Sequence, residues 1–200
     1  YGLGNVNAIL NIYNDLGIPV VRFDQPCLAS SLTHIVLPGV GAFDWAIHKL
    51  ETSGLRPVLD KLVIDGKLPV LGICVGMQIM ANYSSEGTQP GLGWIPGEVK
   101  LLEQPPFPTK IQLPHMGWND VISINHPLFE NISDPRFYFL HSYFFVPRSS
   151  NHILASVEYG RQFTAAVCNG NVLGVQFHPE KSHHWGISLL KNFAAFQYSP

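Results

Sequence analysis

Apolar positions in the first half of the chain recur with two different periods. Val6, Ile9, Leu10, Tyr13 and Leu16 are spaced by three and four residues, which predicts a helix with one buried face, closed by Gly17 and Pro19. Val20 to Phe23 and His34 to Leu37 are short runs rich in β-branched and aliphatic side chains and predict strands, with a second helix beginning near Asp44. Helices and strands alternating in this way predict an α/β fold with a mostly parallel central sheet flanked by helices. From Val99 onward the texture changes. Lys110 to Leu113, Phe137 to Val146, Ile153 to Val157 and the pair of segments flanking Asn169-Gly170 predict an antiparallel β portion with a hairpin in the second half. Ile187, Leu190, Phe193 and Phe196 then mark one face of a closing helix. No repeat, low-complexity tract or linker interrupts the pattern, so a single domain over residues 1–200 is expected.

Composition narrows the class. With 46% hydrophobic and 13% charged residues in a chain of 200, there is ample material for a core without disulfide or structural metal. The formal net charge of −2, with no run of lysine or arginine, argues against a nucleic-acid groove or an anionic membrane surface as partner. Three cysteines, Cys27, Cys74 and Cys168, without a Cys-x-x-Cys pair point to reduced thiols and a cytoplasmic setting. No stretch reads as a bilayer span or a signal peptide.

The chemistry concentrates at Gly72-Ile73-Cys74-Val75-Gly76, which follows the apolar run Leu68 to Leu71 and precedes the helix-like Met77 to Ala81. A small residue on each side of a central nucleophile suits a strained strand-to-helix turn, where neighbouring backbone passes close by. Such a turn is expected to push the thiol into solvent at a helix N-terminus, whose open N–H groups favour thiolate. A lone cysteine between glycines is otherwise a small buried hydrophobe. A base for it stands at Gln176-Phe177-His178-Pro179-Glu180. In extended backbone His178 and Glu180 share a face, so the carboxylate can fix the imidazole tautomer and leave the other ring nitrogen for the thiol. Cys74, His178 and Glu180 thus make a candidate triad. An oxyanion needs donors, and the Val75 N–H is one; Gly39-Val40-Gly41, whose glycines let the intervening peptide rotate, is the candidate for another. His183-His184 lacks the ligand spacing of a zinc site, and Gly2-Leu3-Gly4 lacks the third glycine of a dinucleotide loop, so neither metal nor cofactor is expected.

Leu37 to Phe43, Leu71 to Gln78 and Gly174 to Ser182, in that order and spacing, resemble the class I, triad-type glutamine amidotransferases over nearly the whole chain. Within that class, Pro114 to Asn119 and Phe139 to Tyr143 are similar to the glutaminase subunits of imidazole glycerol phosphate synthases. The family places a strand before the turn at Tyr1 to Asn5, so an N-terminal strand is expected to be missing from the sequence.

The resemblance implies hydrolysis of L-glutamine to glutamate and ammonia through a cysteinyl thioester. It puts the second oxyanion donor at the Val40 amide, and glutamine against the Gly41 backbone, Gln78, Glu86 and the segment His141, Ser142, Tyr143. It implies a (β/α)₈ cyclase as heterodimer partner and ammonia acceptor in histidine biosynthesis, docked over Asn5, His115, Met116, Trp118, Asn119, Tyr138 and Lys181. Related glutaminases serve other acceptors, including synthases that aminate nucleotide-linked sugars for surface polysaccharide. Another thiol hydrolase on the same architecture and an inactive interaction subunit are the remaining alternatives; Gln78 and the Pro114 to Gly117 motif disfavour the first, and the complete triad the second.

Overall fold

The computed structural model describes residues 1–103 and 111–198. Helix α1 (Val6–Asp15) starts where the Asn5 side chain accepts the Ala8 N–H, and it is followed by β1 (Ile35–Gly39), α2 (Phe43–Thr52), α3 (Arg56–Asp60), β2 (Val70–Cys74) and α4 (Val75–Gln78). The short strand β3 (Tyr83–Ser84) leads to β4 (Gly97–Leu101), β5 (His115–Ser123), β6 (Arg136–His141) and β7 (Tyr143–Pro147). Then come β8 (Ile153–Glu158), β9 (Gln162–Asn169), β10 (Val172–Val175) and α5 (His183–Ala195).

Seven strands form one sheet in the order β1-β2-β10-β9-β8-β5-β6, and β3-β4-β7 form a second, three-stranded sheet. The α/β class and the antiparallel second half are as the sequence predicts. In detail the large sheet is mixed, because only the adjacent β1, β2 and β10 run parallel and the pairs from β10 to β6 are antiparallel. Strands β2 and β10 are buried at every position, which explains their unbroken apolar runs. The turn at Asn169-Gly170 makes β9 and β10 the expected hairpin, with Val172 opposite Asn169.

Four local expectations are corrected. Val20 to Phe23 forms no strand: it joins no ladder and lines a cleft of about 810 Å³ together with residues of α1 and β1. Lys110 lies outside the described residues and 111–113 join no ladder; the strand begins instead at His115, despite the turn-forming look of Pro114, Gly117 and Asn119. Phe137 to Val146 divides at Ser142, where the chain leaves the large sheet as β6 and enters the small one as β7. Ile187 is exposed, and α5 buries Gly186, Leu189, Leu190 and Phe193.

Two features of the core hold the segments that carry His178 and the flanking helices. The Phe177 ring stacks on Phe137 at 3.9 Å and meets Phe139 edge-on, clamping the chain just before His178 against β6. Tyr13 Oη donates to Leu190 O at 3.1 Å, tying α1 to α5.

Candidate active site

The parallel ladder of β1 and β2 ends on the pair Gly39 and Cys74, so the residues that follow, Val40 and Val75, leave the sheet side by side. Cys74 has φ 55° and ψ −115°, a conformation that costs an L residue on the order of 1–3 kcal/mol and is held by its surroundings. Glycine is required on both sides of the contact. A Cβ at Gly76 would lie 1.8 Å from Leu37 O, and one at Gly39 would lie 2.4 Å from the Gly76 nitrogen. The end of β1 and the turn after β2 therefore touch main chain to main chain.

Cys74 is only 4% exposed, contrary to the expectation of a thiol pushed into solvent. The turn lies between β1 and the β10 side, and the sulfur has Leu140 O at 3.9 Å and Gln176 Nε2 at 3.8 Å. The helix after it is also shorter than expected, four residues rather than a run through Ala81. Its electrostatic effect is that of the open first-turn N–H groups, not of a long macrodipole.

His178 reaches the same place because β10 is the parallel neighbour of β2 and ends three residues before it. Its N–H bonds Tyr138 O at 2.8 Å, and its Nδ1 lies 2.9 Å from Glu180 Oε1. Both side chains are buried. Burial opposes the imidazolium, but hydrogen bonds to Cys74 and Glu180 and the negative charge of both outweigh it and push the His178 pKa up to about 9. His178 thus stands between the Glu180 carboxylate, which it bonds, and Cys74, which lies near enough to favour the charged imidazole.

A family model for class-I glutamine amidotransferases matches residues 3–195. The chain belongs to this family. It is 53% identical over 196 residues to the imidazole glycerol phosphate synthase subunit HisH of Bdellovibrio bacteriovorus, covering 97% of this chain and 96% of that one. It is 48% identical to the subunit of the same name from Leptospira interrogans, covering 98% and 97%. Among solved structures, a glutamine amidotransferase with 20% identity superposes with a TM-score of 0.73 over 97% of this chain and 96% of that one, a likeness of fold.

Of the remaining residues singled out in the sequence, Gln78 is tied to Gln176, whose amide faces the Cys74 sulfur. Gln78 is buried, and its Nε2 donates to Tyr143 O at 2.8 Å and to Gln176 Oε1 at 3.1 Å. His141, Ser142 and Tyr143 are the crossing between the two sheets, pinned by Leu102 N–H to Ser142 O at 2.8 Å. Glu86 is more than a solvated loop charge: its Oε2 accepts the Phe43 N–H at 2.9 Å, at the start of α2 just beyond Gly41. Asp44 answers from the helix, accepting the N–H groups of Thr88 and Gln89, which hold its carboxyl below the usual range.

On β5 the alternation of a strand decides which residues face outward. Met116 is 65% exposed and Trp118 37%, opposite Leu140 and Tyr138 on β6. Trp118 stacks on His183, and Lys181 Nζ sits over the Tyr138 ring at 5.7 Å. Asn5 is exposed as the cap of α1. His115 departs from the expected outer face: it is 2% exposed and points inward, because it lies on the other side of the pleat from Met116 and Trp118. Asn119 is half-buried on that inner side and donates to Glu158 O at 2.8 Å.

Two residues without an expected role stand beside the triad. Ser182 is fully buried, donates to His178 O at 2.7 Å and accepts the Tyr138 N–H at 3.0 Å, bracing the backbone at His178. Gln176 is fully buried with its amide toward the Cys74 sulfur. Only their place in the Gly174 to Ser182 motif could have flagged them. Among the described residues no group of three His, Cys, Asp or Glu side chains is arranged to hold a metal ion, and no helix is long and apolar enough to cross a membrane.

Proposed function

We propose that this chain is a glutaminase subunit acting in the cytoplasm, which hydrolyses the side-chain amide of L-glutamine and delivers ammonia to an imidazole glycerol phosphate synthase cyclase. His178 carries the chemistry: its Nδ1 lies 2.9 Å from Glu180 Oε1, and Glu180 and Cys74 together raise its pKa. Cys74 thiolate attacks the amide carbon, forming the C–S bond while the carbonyl electrons move to oxygen. The N–H groups of Val75 and Val40 receive that oxyanion, each worth about 3 kcal/mol of barrier. The His178 imidazolium gives its proton to the departing nitrogen, the C–N bond breaks, and a thioester remains. Neutral His178 then takes a proton from water, and the hydroxide adds to the thioester carbon, expelling Cys74 thiolate and leaving glutamate.

The Gly41 backbone, Gln78, Glu86 and the His141, Ser142, Tyr143 crossing surround the substrate. Glu86 pairs with the α-ammonium and main-chain donors near Ser142 and Tyr143 with the α-carboxylate. Ammonia loses its nucleophilicity once protonated in water, which favours direct transfer to a docked partner. The exposed Met116 and Trp118, with Asn5, Asn119, Tyr138 and Lys181 around them, form the docking face, and a (β/α)₈ cyclase is the partner. The relatives named for this synthase, matched over almost their whole length, support that acceptor.

The test is release of glutamate from glutamine by the chain alone and with the cyclase and its nucleotide ligand. Slow turnover alone and a large increase in the complex are expected. Absence of glutamate release in the loaded complex, with folded partners, would overturn the assignment.

A further inference from the structure

The carbonyl of Tyr143 receives two side-chain donors, and because a carbonyl only accepts, it dictates the polarity of everything attached to it. On one side Gln78 Nε2 donates to it at 2.8 Å and spends its other hydrogen on Gln176 Oε1 at 3.1 Å. That leaves the Gln176 N–H₂ group directed at Cys74 Sγ, 3.8 Å away. On the other side His141 Nδ1 is 2.9 Å from the same oxygen, so Nδ1 carries the hydrogen and Nε2 carries a lone pair. His115 Nδ1 lies 3.0 Å from that Nε2 and must donate to it. His115 Nε2 is then an acceptor, facing Asn119 Nδ2 at 3.4 Å. Every bond from Asn119 to the sulfur has one permitted direction.

We propose that His115 and His141 are positioning residues that fix the Tyr143 carbonyl, and that through Gln78 this carbonyl aims the Gln176 amide at Cys74 to favour the thiolate. The inference rests on the reading of Cys74 as nucleophile. Geometry supports it: Gln176, His115, His141 and Gln78 are all buried, where a misdirected polar group is costly. His115 lies between Phe139 at 4.7 Å and Tyr159 at 4.0 Å, an aromatic sandwich. Burial, and for His141 the neighbouring imidazoles His115 and His178 as well, hold the two rings neutral, His115 at about 4 and His141 at about 3. The ionisable groups facing Cys74 itself are His178 and Tyr1, with Glu180 and His141 behind. Strand β5 carries His115 on its inner side and Met116 and Trp118 on its outer side, so the far end of the relay is the strand proposed to meet the partner.

Two measurements on the folded full chain test this. Nitrogen-15 NMR of the unmutated protein should find both His115 and His141 as neutral Nδ1–H tautomers, the less common form, unchanged between pH 5 and 8. An Nε2–H tautomer or an imidazolium at either ring would overturn the relay. Alkylation of Cys74 by iodoacetamide, followed across pH on the Cys74 peptide by mass spectrometry, reads the sulfur without any glutamine. Gln176→Met should slow the reaction about fivefold to tenfold on the acid side and leave the high-pH plateau unchanged. His141→Phe should move it the same way by about threefold, and His141→Asn, whose amide reaches the Nδ1 position, should recover most of the loss. An acid limb unchanged in Gln176→Met would overturn the proposal. If His141→Phe does not fold, the tautomer measurement decides the histidine arm. Failure of the unmutated complex to release glutamate would sink the glutaminase reading while leaving these two results to judge the relay.

Discussion

The parallel and antiparallel halves of the large sheet build their parts of the site in different ways. On the parallel side, β1 and β2 bring the Cys74 turn and the adjoining Gly39 to Gly41 loop together through main-chain contact. On the antiparallel side, β5 and β6 act through side chains: buried histidines on one face, exposed Met116 and Trp118 on the other. The segment after β10 joins the halves, since β10 pairs with β2 on one edge and β9 on the other, and Phe177 packs on β6. The backbone around Cys74 thus tolerates no added atoms, while the outer face of β5 carries residues that can be exchanged without rebuilding the sheet.

The sharpest division between the halves comes from removing the Cys74 thiol. Cys74→Ala should lower glutaminase turnover by more than about 10⁴-fold with an unchanged melting temperature, measured by glutamate release and calorimetry. Glu180→Gln should cost on the order of 10³–10⁴-fold in kcat, because the amide no longer stabilises the imidazolium that Glu180 now supports; near-normal kcat would remove Glu180 from the triad. Gly76→Ala should destabilise the fold by about 4 kcal/mol or more in denaturant melts, since the added carbon meets Leu37 O, and a stable variant would contradict the main-chain contact.

A smaller effect is carried by pH. The folded His178 pKa is raised from 6.5 to about 9, so the stability this group adds is complete below about 6.5 and is lost as pH rises through 9. Replacing His178 by Gln should flatten that part of the stability profile; an unaltered alkaline slope would refute the raised value. The least effect on the chain alone is expected at the antiparallel face. Met116→Asp should change stability by no more than about 0.5 kcal/mol yet weaken binding of the cyclase about tenfold or more, read by titration calorimetry.

Much of this site was legible before the fold. The glycines around Cys74 and the spacing of His178 and Glu180 each express a local requirement, and local requirements leave marks in sequence. The meeting of Cys74 with His178 was not local. It follows from β10 entering the sheet beside β2, which the apolar run Val172 to Val175 permits but does not dictate. Burial of the thiol was missed because it depends on what covers the turn, namely Leu140 and Gln176 from distant segments. Strand β5 was hidden by Gly117 and Asn119, turn formers at positions that pairing with β6 overrides. Val20 to Phe23 shows the converse, β propensity in a stretch that joins no ladder.

The bare peptide contact at Gly39 and Gly76 also limits how this catalyst can be altered. The spacing of the two backbone segments is not tunable by choosing larger or smaller residues, because no residue larger than glycine fits there. Rotation of a peptide unit is the remaining freedom, and a rotation has two endpoints rather than a continuum. Directed evolution toward graded activity would therefore be expected to accumulate its changes around this contact and never at it.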